Sequence, residues 1–223
     1  MYIDTYRTLQ RDFYLSDAIA AARGLLGAIL VRDSDCGMTS GRIVETEAYM
    51  GREDAACHSY KRELGGKPHR TDVMFGPGGY AYVYLIYGMY NCFNVVANAE
   101  DEPEAVLIRA VEPIDGIPLM ASRRKTDGPM TAKNIKTLCS GPGKLCAAFG
   151  ITREHYGADL CGGRLFIARG DAPADGDIAA TPRINVSYAG EASLYPYRFI
   201  IKNSPYLSVR RTGDRRRPPL PKQ

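Results

Sequence analysis

The sequence predicts a single α+β domain, with a curved, mainly antiparallel β-sheet, surrounding helices and a protruding β-hairpin. The chain has 223 residues, of which 45% are hydrophobic, and that is enough to bury one good core. The aromatic run YAYVYLIYGMYNCFNVVAN at 80–98 is its strongest β-strand pattern. The sequence contains no GxGxxG or Walker motif, which argues against a βαβ nucleotide-binding fold.

The elements of the first half follow in chain order. Ser16 is predicted to cap a helix over 17–26. Strands are predicted over 28–32 and 42–49, with a turn between them. Glycine and proline are frequent over 51–79, which predicts a long functional loop broken by short helix.

The second half is predicted to hold shorter elements. A strand is predicted over 105–114, and helical segments are predicted to begin near 114 and to cover 141–151. Short late strands are predicted over 164–170, 184–188 and 197–201. Residues 210–223 are rich in Pro and Arg and are predicted to form a disordered tail, so the folded domain spans 1–209.

Composition narrows the cellular context. The N-terminal segment has no basic lead followed by an apolar run, so no secretory signal is expected. No stretch is long and apolar enough to cross a bilayer. The six cysteines show no CxxC pair and no zinc-type spacing, which indicates unpaired thiols in a reducing cytosol. The expected location is therefore cytoplasmic, with no membrane partner.

The positive charge is concentrated at the C-terminus. The formal net charge is +4, and residues 210–223 hold six basic side chains and one acidic side chain. The rest of the chain is close to neutral, so it would have to bind nucleic acid through local basic patches. Two such patches lie at 61–70 and 122–136, although a solvated loop is the better interpretation of each patch alone.

Two carboxylates share one face of the predicted strand GRIVETEAY at 41–49. Glu45 and Glu47 alternate with less polar residues, so both would point to the same side of a half-buried segment. Burying two nearby carboxylates is costly, which indicates either a salt-bridged surface pair or a chemical role. Tyr49 and His58 follow closely, and with a carboxylate they could form an aromatic pocket with a general base at its floor.

The hairpin within 80–98 has an apolar tip. Hairpin tips normally carry Asn, Asp and Gly, but here Gly88 has Tyr87 and Met89 as its neighbours. The tip could be folded under a loop as part of the core, or it could enter a base stack as a wedge. The turn taken alone slightly favours the core.

Four ordered motifs resemble the alkyladenine, or 3-methyladenine, DNA glycosylase family, and the similarity extends from about residue 12 to about residue 208. The motifs are GRIVETEAYMGREDAACHS at 41–59, MFGPGGYAYVYLIYGMYNCFNV at 74–95, AVLIRAVEP at 105–113 and LCSGPGKLCAAFGI at 138–151. The short N-terminus and compact loops are typical of the bacterial branch. The resemblance implies that the domain over 1–209 flips a damaged purine out of duplex DNA and hydrolyses its N-glycosidic bond.

The resemblance also implies the roles of individual residues in the reaction. Glu47 would be the general base that activates a water to attack C1′. Arg109 would help to hold that water and the sugar-phosphate, and the main-chain carbonyl of Ile184 would be a third partner of the water. Alkylation makes the base a good leaving group, so no Schiff-base lysine is needed and the enzyme would be monofunctional. No metal and no organic cofactor is implied.

The same resemblance implies how the damaged base would be held. Tyr49, His58 and Tyr84 would be the walls between which the flipped base stacks. Asn94 would crowd the exocyclic amino group of normal guanine. An electron-poor alkylated purine stacks well on such rings, with a cation–π contribution of about 1–2 kcal/mol in a dry pocket.

The DNA duplex would be held by three further residues. Tyr87 would be the wedge that fills the place of the flipped nucleotide, with Met89 beside it, and Lys144 would lie near the DNA backbone. With the resemblance included, the wedge becomes the preferred role of the hairpin tip. The implied partner is double-stranded DNA containing damaged purines. We expect a nucleoid-associated monomer without an obligate protein partner.

Two other functions are considered. One is a non-catalytic binder of distorted DNA or RNA on the same fold, which would have no use for a buried Glu47. The other is a small-molecule hydrolase that uses the Glu45/Glu47 pair, and it ranks last because adjacent carboxylates on one strand are poorly placed to flank a scissile bond. The sequence does not separate 3-methyladenine from 7-methylguanine, hypoxanthine or ethenoadenine as the preferred lesion.

Overall fold

The structure, a computed structural model, describes residues 6–64, 69–126 and 128–209. The strands are β1 (Ile29–Arg32), β2 (Thr39–Tyr49), β3 (Ala81–Ile86), β4 (Tyr90–Ala97), β5 (Glu104–Pro113), β6 (Leu165–Ala168), β7 (Ile178–Thr181) and β8 (Arg198–Ile201). The α-helices are α1 (Arg11–Tyr14), α2 (Ala18–Gly24), α3 (Ile117–Arg123), α4 (Ala132–Leu138) and α5 (Pro142–Phe149). The predicted α+β class is confirmed. The predicted tail at 210–223 lies outside the described residues.

One antiparallel sheet organises the domain around β2. The order β3-β4-β5-β2-β1-β6 forms its main path, and every pairing among the described strands is antiparallel. The long strand β2 pairs with β5 along one edge. Along its other edge it pairs first with β1 and then with β8, which in turn pairs with β7. A strand that has neighbours along both edges and is covered on both faces is buried almost throughout, as β2 is.

The core lies between one face of the sheet and the α-helices. Thr46 points to this side, where its hydroxyl donates to the carbonyl of Ala22 in α2 at 2.9 Å. Phe93 from β4 and Phe149 from α5 are fully buried members of the same cluster. Glu45 and Glu47 flank Thr46 in β2, so they point to the opposite face of the sheet.

Within the described ranges, no helix combines the length and the apolar character needed to cross a membrane.

Several predicted elements need correction. α2 is capped by Asp17 and not by Ser16, because the Asp17 carboxylate accepts from the backbone N–H of Ala20. The strand predicted over 184–188 is wrong: Asn185 has a φ of 60°, and 3-10 helical turns, interrupted at Gly190, occupy Ser187–Leu194. β7, α1 and α4 were not predicted at all. β7 is only four residues long and not fully buried, so it carries a weak hydrophobic pattern.

The predicted loop and hairpin are found. Residues 51–79 contain the short 3-10 helices Gly51–Glu53 and Asp72–Phe75 between irregular segments. The hairpin of β3 and β4 turns at Tyr87 and Gly88, which both have positive φ, as a type I′ turn requires. A tyrosine in that conformation is unusual and points to a functional demand on the side chain. Tyr87 is 74% exposed and Met89 is 66% exposed, so the tip is not part of the core.

Candidate active site

The register of the sheet places two predicted site residues, Asn94 and Glu47, in one row across the strands. Tyr82 of β3 lies opposite Asn94 of β4, Asn94 lies opposite Leu107 of β5, and Leu107 lies opposite Glu47 of β2. Directly opposed residues in an antiparallel sheet share a face. Asn94 and the catalytic candidate Glu47 therefore belong to the same side of the sheet as the tyrosines of β3.

Two compensating bulges turn Arg109 towards this row. The pairing of β2 with β5 passes from Ile43↔Val111 to Glu45↔Ala110 and then to Thr46↔Ile108. Val44 on one strand and Arg109 on the other are therefore extra residues without a partner in the ladder. Bulges re-aim side chains and are frequent beside active sites. The Arg109 guanidinium ends up between the two carboxylates of β2.

Glu45 is a buried carboxylate that accepts four hydrogen bonds. Its Oε1 accepts from Nε of Arg109 at 2.9 Å, from Nε of Arg198 at 2.8 Å and from the Ser208 hydroxyl at 2.7 Å. Its Oε2 accepts from the Ser208 backbone N–H at 2.6 Å. Although burial acts to raise it, the pKa of Glu45 lies below its usual value because Arg109, Arg198 and Ser208 stabilise the charge. Glu45 is thus held by two guanidiniums and by Ser208 through four hydrogen bonds, three on Oε1 and one on Oε2.

Glu47 is equally buried and accepts three hydrogen bonds. Its Oε1 accepts from the backbone N–H of Ile184 at 2.7 Å. Its Oε2 accepts from the Tyr49 hydroxyl at 2.8 Å and from Nη1 of Arg109 at 3.3 Å. Three donors leave one lone pair free, on Oε1. Ile184 was predicted to act through its carbonyl, and the structure shows that its N–H contacts the carboxylate.

The electrostatics around Glu47 fix the protonation states of Arg109 and Tyr49. Burial disfavours the charged guanidinium, yet Glu47 and Glu45 raise the pKa of Arg109 above its usual value. Burial and the Glu47 carboxylate raise the pKa of Tyr49 well above its usual value, so its hydroxyl stays protonated and donates. Arg109 is therefore a fixed cation and Tyr49 a fixed neutral donor at the carboxylate.

Aromatic rings gather beside Glu47. Tyr49 and Tyr84 pack against the same buried cluster, which contains Tyr82 and Cys57. His58 meets Tyr84 edge-on, with ring centroids 4.7 Å apart, and its Nδ1 lies 2.9 Å from the Tyr82 hydroxyl. The structure thus brings together the three predicted wall residues, and it adds Tyr82, which was not assigned a role. We call Tyr49, His58, Tyr82 and Tyr84 the aromatic box.

His58 is uncharged in this setting. Burial, followed by the positive charges of Arg70 and His69, lowers the pKa of His58 to about 4. A neutral imidazole does not repel a cation that enters the aromatic box. Asn94 is buried nearby, and its Nδ2 donates to the carbonyl of Tyr82 at 3.0 Å, which fixes its amide.

The remaining predicted residues lie on the surface. Lys144 is exposed in the first turn of α5. The neighbouring Gly143 packs closely on Tyr90, the first residue of β4, because a Cβ at Gly143 would lie 3.1 Å from Cβ of Tyr90. The start of α5 therefore sits against the base of the hairpin that carries Tyr87 and Met89. Predicted patch 122–136 is described except for residue 127, and patch 61–70 is described except for 65–68.

Several buried polar residues at the site were not found from the sequence. Arg198 and Ser208 hold Glu45, while Arg183 pairs with Asp54. An arginine within the otherwise apolar strand YRFII was a usable signal for Arg198. Asp54 and Arg183 lie far apart in the chain, and no local pattern links them. Among the described residues, no three His, Cys, Asp or Glu side chains converge as a metal site requires.

Comparison with known proteins places the chain among DNA repair enzymes. The profile of the family described as "Methylpurine-DNA glycosylase (MPG)" matches residues 12–205. A relative from Methanocella arvoryzae is 51% identical over 92% of this chain and 98% of its own length. Relatives from Alkaliphilus oremlandii and Desulfitobacterium hafniense are 48% and 45% identical, over 90% and 92% of this chain and 98% and 100% of their own lengths. All three are provisionally named 3-methyladenine DNA glycosylase.

We predict that Glu45→Gln is strongly destabilising. The change leaves Arg109 and Arg198 buried with one carboxylate fewer, and breaking such a pair costs about 3–5 kcal/mol. The folded-state pKa of Glu45 is lowered, so its contribution is present at neutral pH and is lost in acid as the pH falls through that pKa. Denaturant unfolding would measure the loss. Glu47→Gln is the matched control, because Arg109 then keeps Glu45, and an equal loss for both variants would contradict the assignment.

We predict that His58 titrates near pH 4, well below the ordinary value of 6.5. Its folded-state pKa is lowered, so the unfolded chain takes up this proton first and stability falls as the pH drops from about 6.5 towards 4. Imidazole signals in an NMR titration, assigned with His58→Asn, would show this. The variant should also flatten the pH dependence of unfolding in that range. A titration at or above pH 6.5 would refute the buried, neutral state.

Proposed function

This chain belongs to the methylpurine-DNA glycosylase family, and we propose that it hydrolyses the N-glycosidic bond of an alkylated purine with a water activated by Glu47. One observation carries the proposal: the Tyr49 hydroxyl of the aromatic box donates to Glu47, so Glu47 is the carboxylate that borders the box. The donors to Glu45, its neighbour on the same face, are Arg109, Arg198 and Ser208, and none of them belongs to the box. A general base must lie next to the substrate and needs a free lone pair for the proton it removes, so the geometry favours Glu47 over Glu45.

The open position also indicates where the water would sit. It lies on Oε1, the oxygen that accepts from the N–H of Ile184, whereas Oε2 is occupied by Tyr49 and Arg109. The water would bind between Oε1 and the Ile184 backbone, and from there it would attack C1′ of the flipped nucleotide. Its proton passes to Glu47 while the bond to the base breaks, which leaves a sugar without a base.

The aromatic box supports a cationic purine as the preferred substrate. The box offers ring faces and a neutral imidazole, and cation–π contacts in a desolvated site contribute about 0.5–2 kcal/mol each. Alkylation at N3 or N7 gives the base this positive charge and makes it a good leaving group. The groups that donate to Glu47 are Tyr49, Arg109 and the Ile184 amide, and none of them is an amine that could form a Schiff base. These donors support a monofunctional hydrolysis without strand cleavage.

The hairpin supports binding to duplex DNA with the damaged nucleotide flipped out. Tyr87 and Met89 project from the tip, and Lys144 lies at the start of the adjacent helix α5. An exposed apolar tip can fill the place left in the stack, and the lysine can contact phosphate. Flipping costs a few kcal/mol, and less for a lesion that pairs poorly. We propose a monomer that scans duplex DNA with this surface.

The two competing functions are less well supported. A binder without catalysis would gain nothing from a buried carboxylate that repels the phosphate backbone. A hydrolase using both carboxylates would need them on opposite sides of the bond it breaks. Glu45 and Glu47 instead contact one guanidinium, that of Arg109, from the same strand.

We predict that Glu47→Gln retains the fold and the affinity for lesion DNA but slows base release by about 10²–10⁴-fold. The amide can still accept from the Ile184 N–H, but it cannot take a proton from water. Single-turnover release of 3-methyladenine or 7-methylguanine from a defined duplex would measure the effect. The control Glu53→Gln changes an exposed acid close in sequence and should stay within twofold of the wild type. Near-normal release by Glu47→Gln would falsify the general-base role.

We predict that Tyr87→Ser leaves stability within about 0.5 kcal/mol, because the side chain is exposed. Capture of the flipped state should weaken, since one lost base–aromatic stack costs about 1–3 kcal/mol. Thermal unfolding and the fluorescence of a base analogue opposite the lesion separate the two effects. Leu15→Ser, at an apolar residue that is 46% exposed and outside the hairpin, should alter neither. A strongly destabilised Tyr87→Ser whose folded fraction flips bases normally would rule out the wedge.

A further inference from the structure

A buried arginine, Arg183, joins the chain segments that surround Glu47. Its guanidinium donates to both oxygens of Asp54, to the carbonyl of Ala48 at 2.9 Å and to the carbonyl of Ala192 at 3.1 Å. Ala48 ends the buried part of β2, Asp54 lies in the loop that leads to His58, and Ala192 belongs to the 3-10 helix Ser187–Leu194. One side chain therefore ties together three segments that are distant in sequence.

Arg183 also holds the ring of Tyr49. Its guanidinium carbon lies 4.9 Å from the Tyr49 ring centroid and 5.3 Å from that of Tyr197. Its buried Nε has no hydrogen-bond partner and borders these aromatic rings instead. A planar guanidinium stacks on such rings, whereas an ammonium group does not. The orientation of Tyr49 therefore depends on Arg183.

Both groups next to Arg183 act directly on the Glu47 carboxylate. The Tyr49 hydroxyl donates to Oε2, and Ile184, the next residue in the chain, donates its N–H to Oε1. These two bonds decide which way the carboxylate faces and which lone pair stays open. A second hydrogen bond, from the Tyr188 hydroxyl to the carbonyl of Ala56 at 3.2 Å, also joins the loop that contains Asp54 to the segment Ser187–Leu194.

We propose that Arg183, held by Asp54, is a positioning residue that orients Glu47 through Tyr49 and Ile184. The inference rests on the proposed function, because it assigns Arg183 to the water-activating step of that reaction. The Arg183 side chain has no solvent-exposed surface, so it would act through Tyr49 and Ile184 and not by direct contact. A buried ion pair is weak evidence for stability, since well-packed apolar residues often serve stability as well, so a role in positioning explains better why the pair is present.

Arg183→Lys and Tyr49→Phe test the proposal. Lysine keeps the positive charge but loses the paired N–H donors and the planar group that stacks on Tyr49. Phenylalanine keeps the aromatic ring but loses the hydroxyl that donates to Glu47. We expect Arg183→Lys to lower the single-turnover excision rate at saturating enzyme by about 10–100-fold, as misplacement of a catalytic group by about 1 Å does. The Kd for lesion DNA should stay within about twofold. Asp54→Asn, which keeps the shape of the side chain, should lower the rate in the same direction but less.

Two readouts separate positioning from a merely structural role. Tyr49→Phe removes the hydroxyl that donates to Glu47, and Arg183→Lys misplaces it. Loss of a donor to a carboxylate favours its protonated form. The acid limb of the pH–rate profile should therefore move to higher pH in both variants. The double variant should be no slower than the slower single variant, because both changes act through one carboxylate. A loss of stability alone would move neither readout in the folded protein.

Arg11→Lys is the matched control. Arg11 also pairs with an aspartate, Asp159, and stacks on a tyrosine, Tyr80, at 4.4 Å, but it has no contact with Glu47. It should excise at the wild-type rate with an unmoved pH profile. A wild-type rate for Arg183→Lys, an unmoved acid limb or multiplicative losses in the double variant would overturn the positioning role. If Glu47→Gln itself kept its activity, the proposed function would fail instead, whatever Arg183→Lys showed.

Discussion

The contact of Arg109 with two buried carboxylates is the constraint on which the rest of the site depends. Glu45 and Glu47 lie on one face of the most buried strand, where two bare charges would not be tolerated. The guanidinium reaches both because β2 and β5 each carry an extra residue at this point. The bulges cost ladder pairing in the middle of the sheet, and the buried ion pairs with Glu45 and Glu47 offset that cost.

Other parts of the fold follow from completing this network. Glu45 requires a second cation, which β8 supplies as Arg198, and Arg198 in turn donates to Thr181 of β7. Ser208 donates both its N–H and its hydroxyl to Glu45, and Leu207 packs beside it against Val44 and Ala110. The short strands β7 and β8 and the chain at 206–209 are thus parts of one satisfied polar network. Such networks specify a unique arrangement when every member has its partner.

The sequence could predict the elements with a strong local pattern, and it could not predict long-range polar partnerships. The alternation in β2 and the aromatic strands placed Glu45, Glu47 and Tyr84 on the correct elements. The segment at 184–188 was mistaken for a strand because its apolar residues alternate, whereas in the structure the N–H of Ile184 is used by Glu47 instead of a strand partner. The pair of Asp54 with Arg183 spans most of the chain, so only the fold brings it together. The distinction between Glu45 and Glu47 likewise came from the resemblance, and local pattern alone gave no reason to prefer either.

The charges of the site bear on how it would hold and release the base in the proposed reaction. Glu45 and Glu47 are balanced by Arg109 and Arg198, and Asp54 is balanced by Arg183, so these ion-paired groups sum to zero. Arg70 adds one positive charge beside the box, with its guanidinium carbon 5.7 Å from the Tyr84 ring centroid. The attraction of a cationic purine by the ring faces would have to exceed the repulsion from Arg70. Cleavage of the glycosidic bond leaves the base neutral, and the cation–π contribution then disappears. The box would bind the charged substrate more tightly than the neutral product, and release of the base would follow from the same chemistry that breaks the bond.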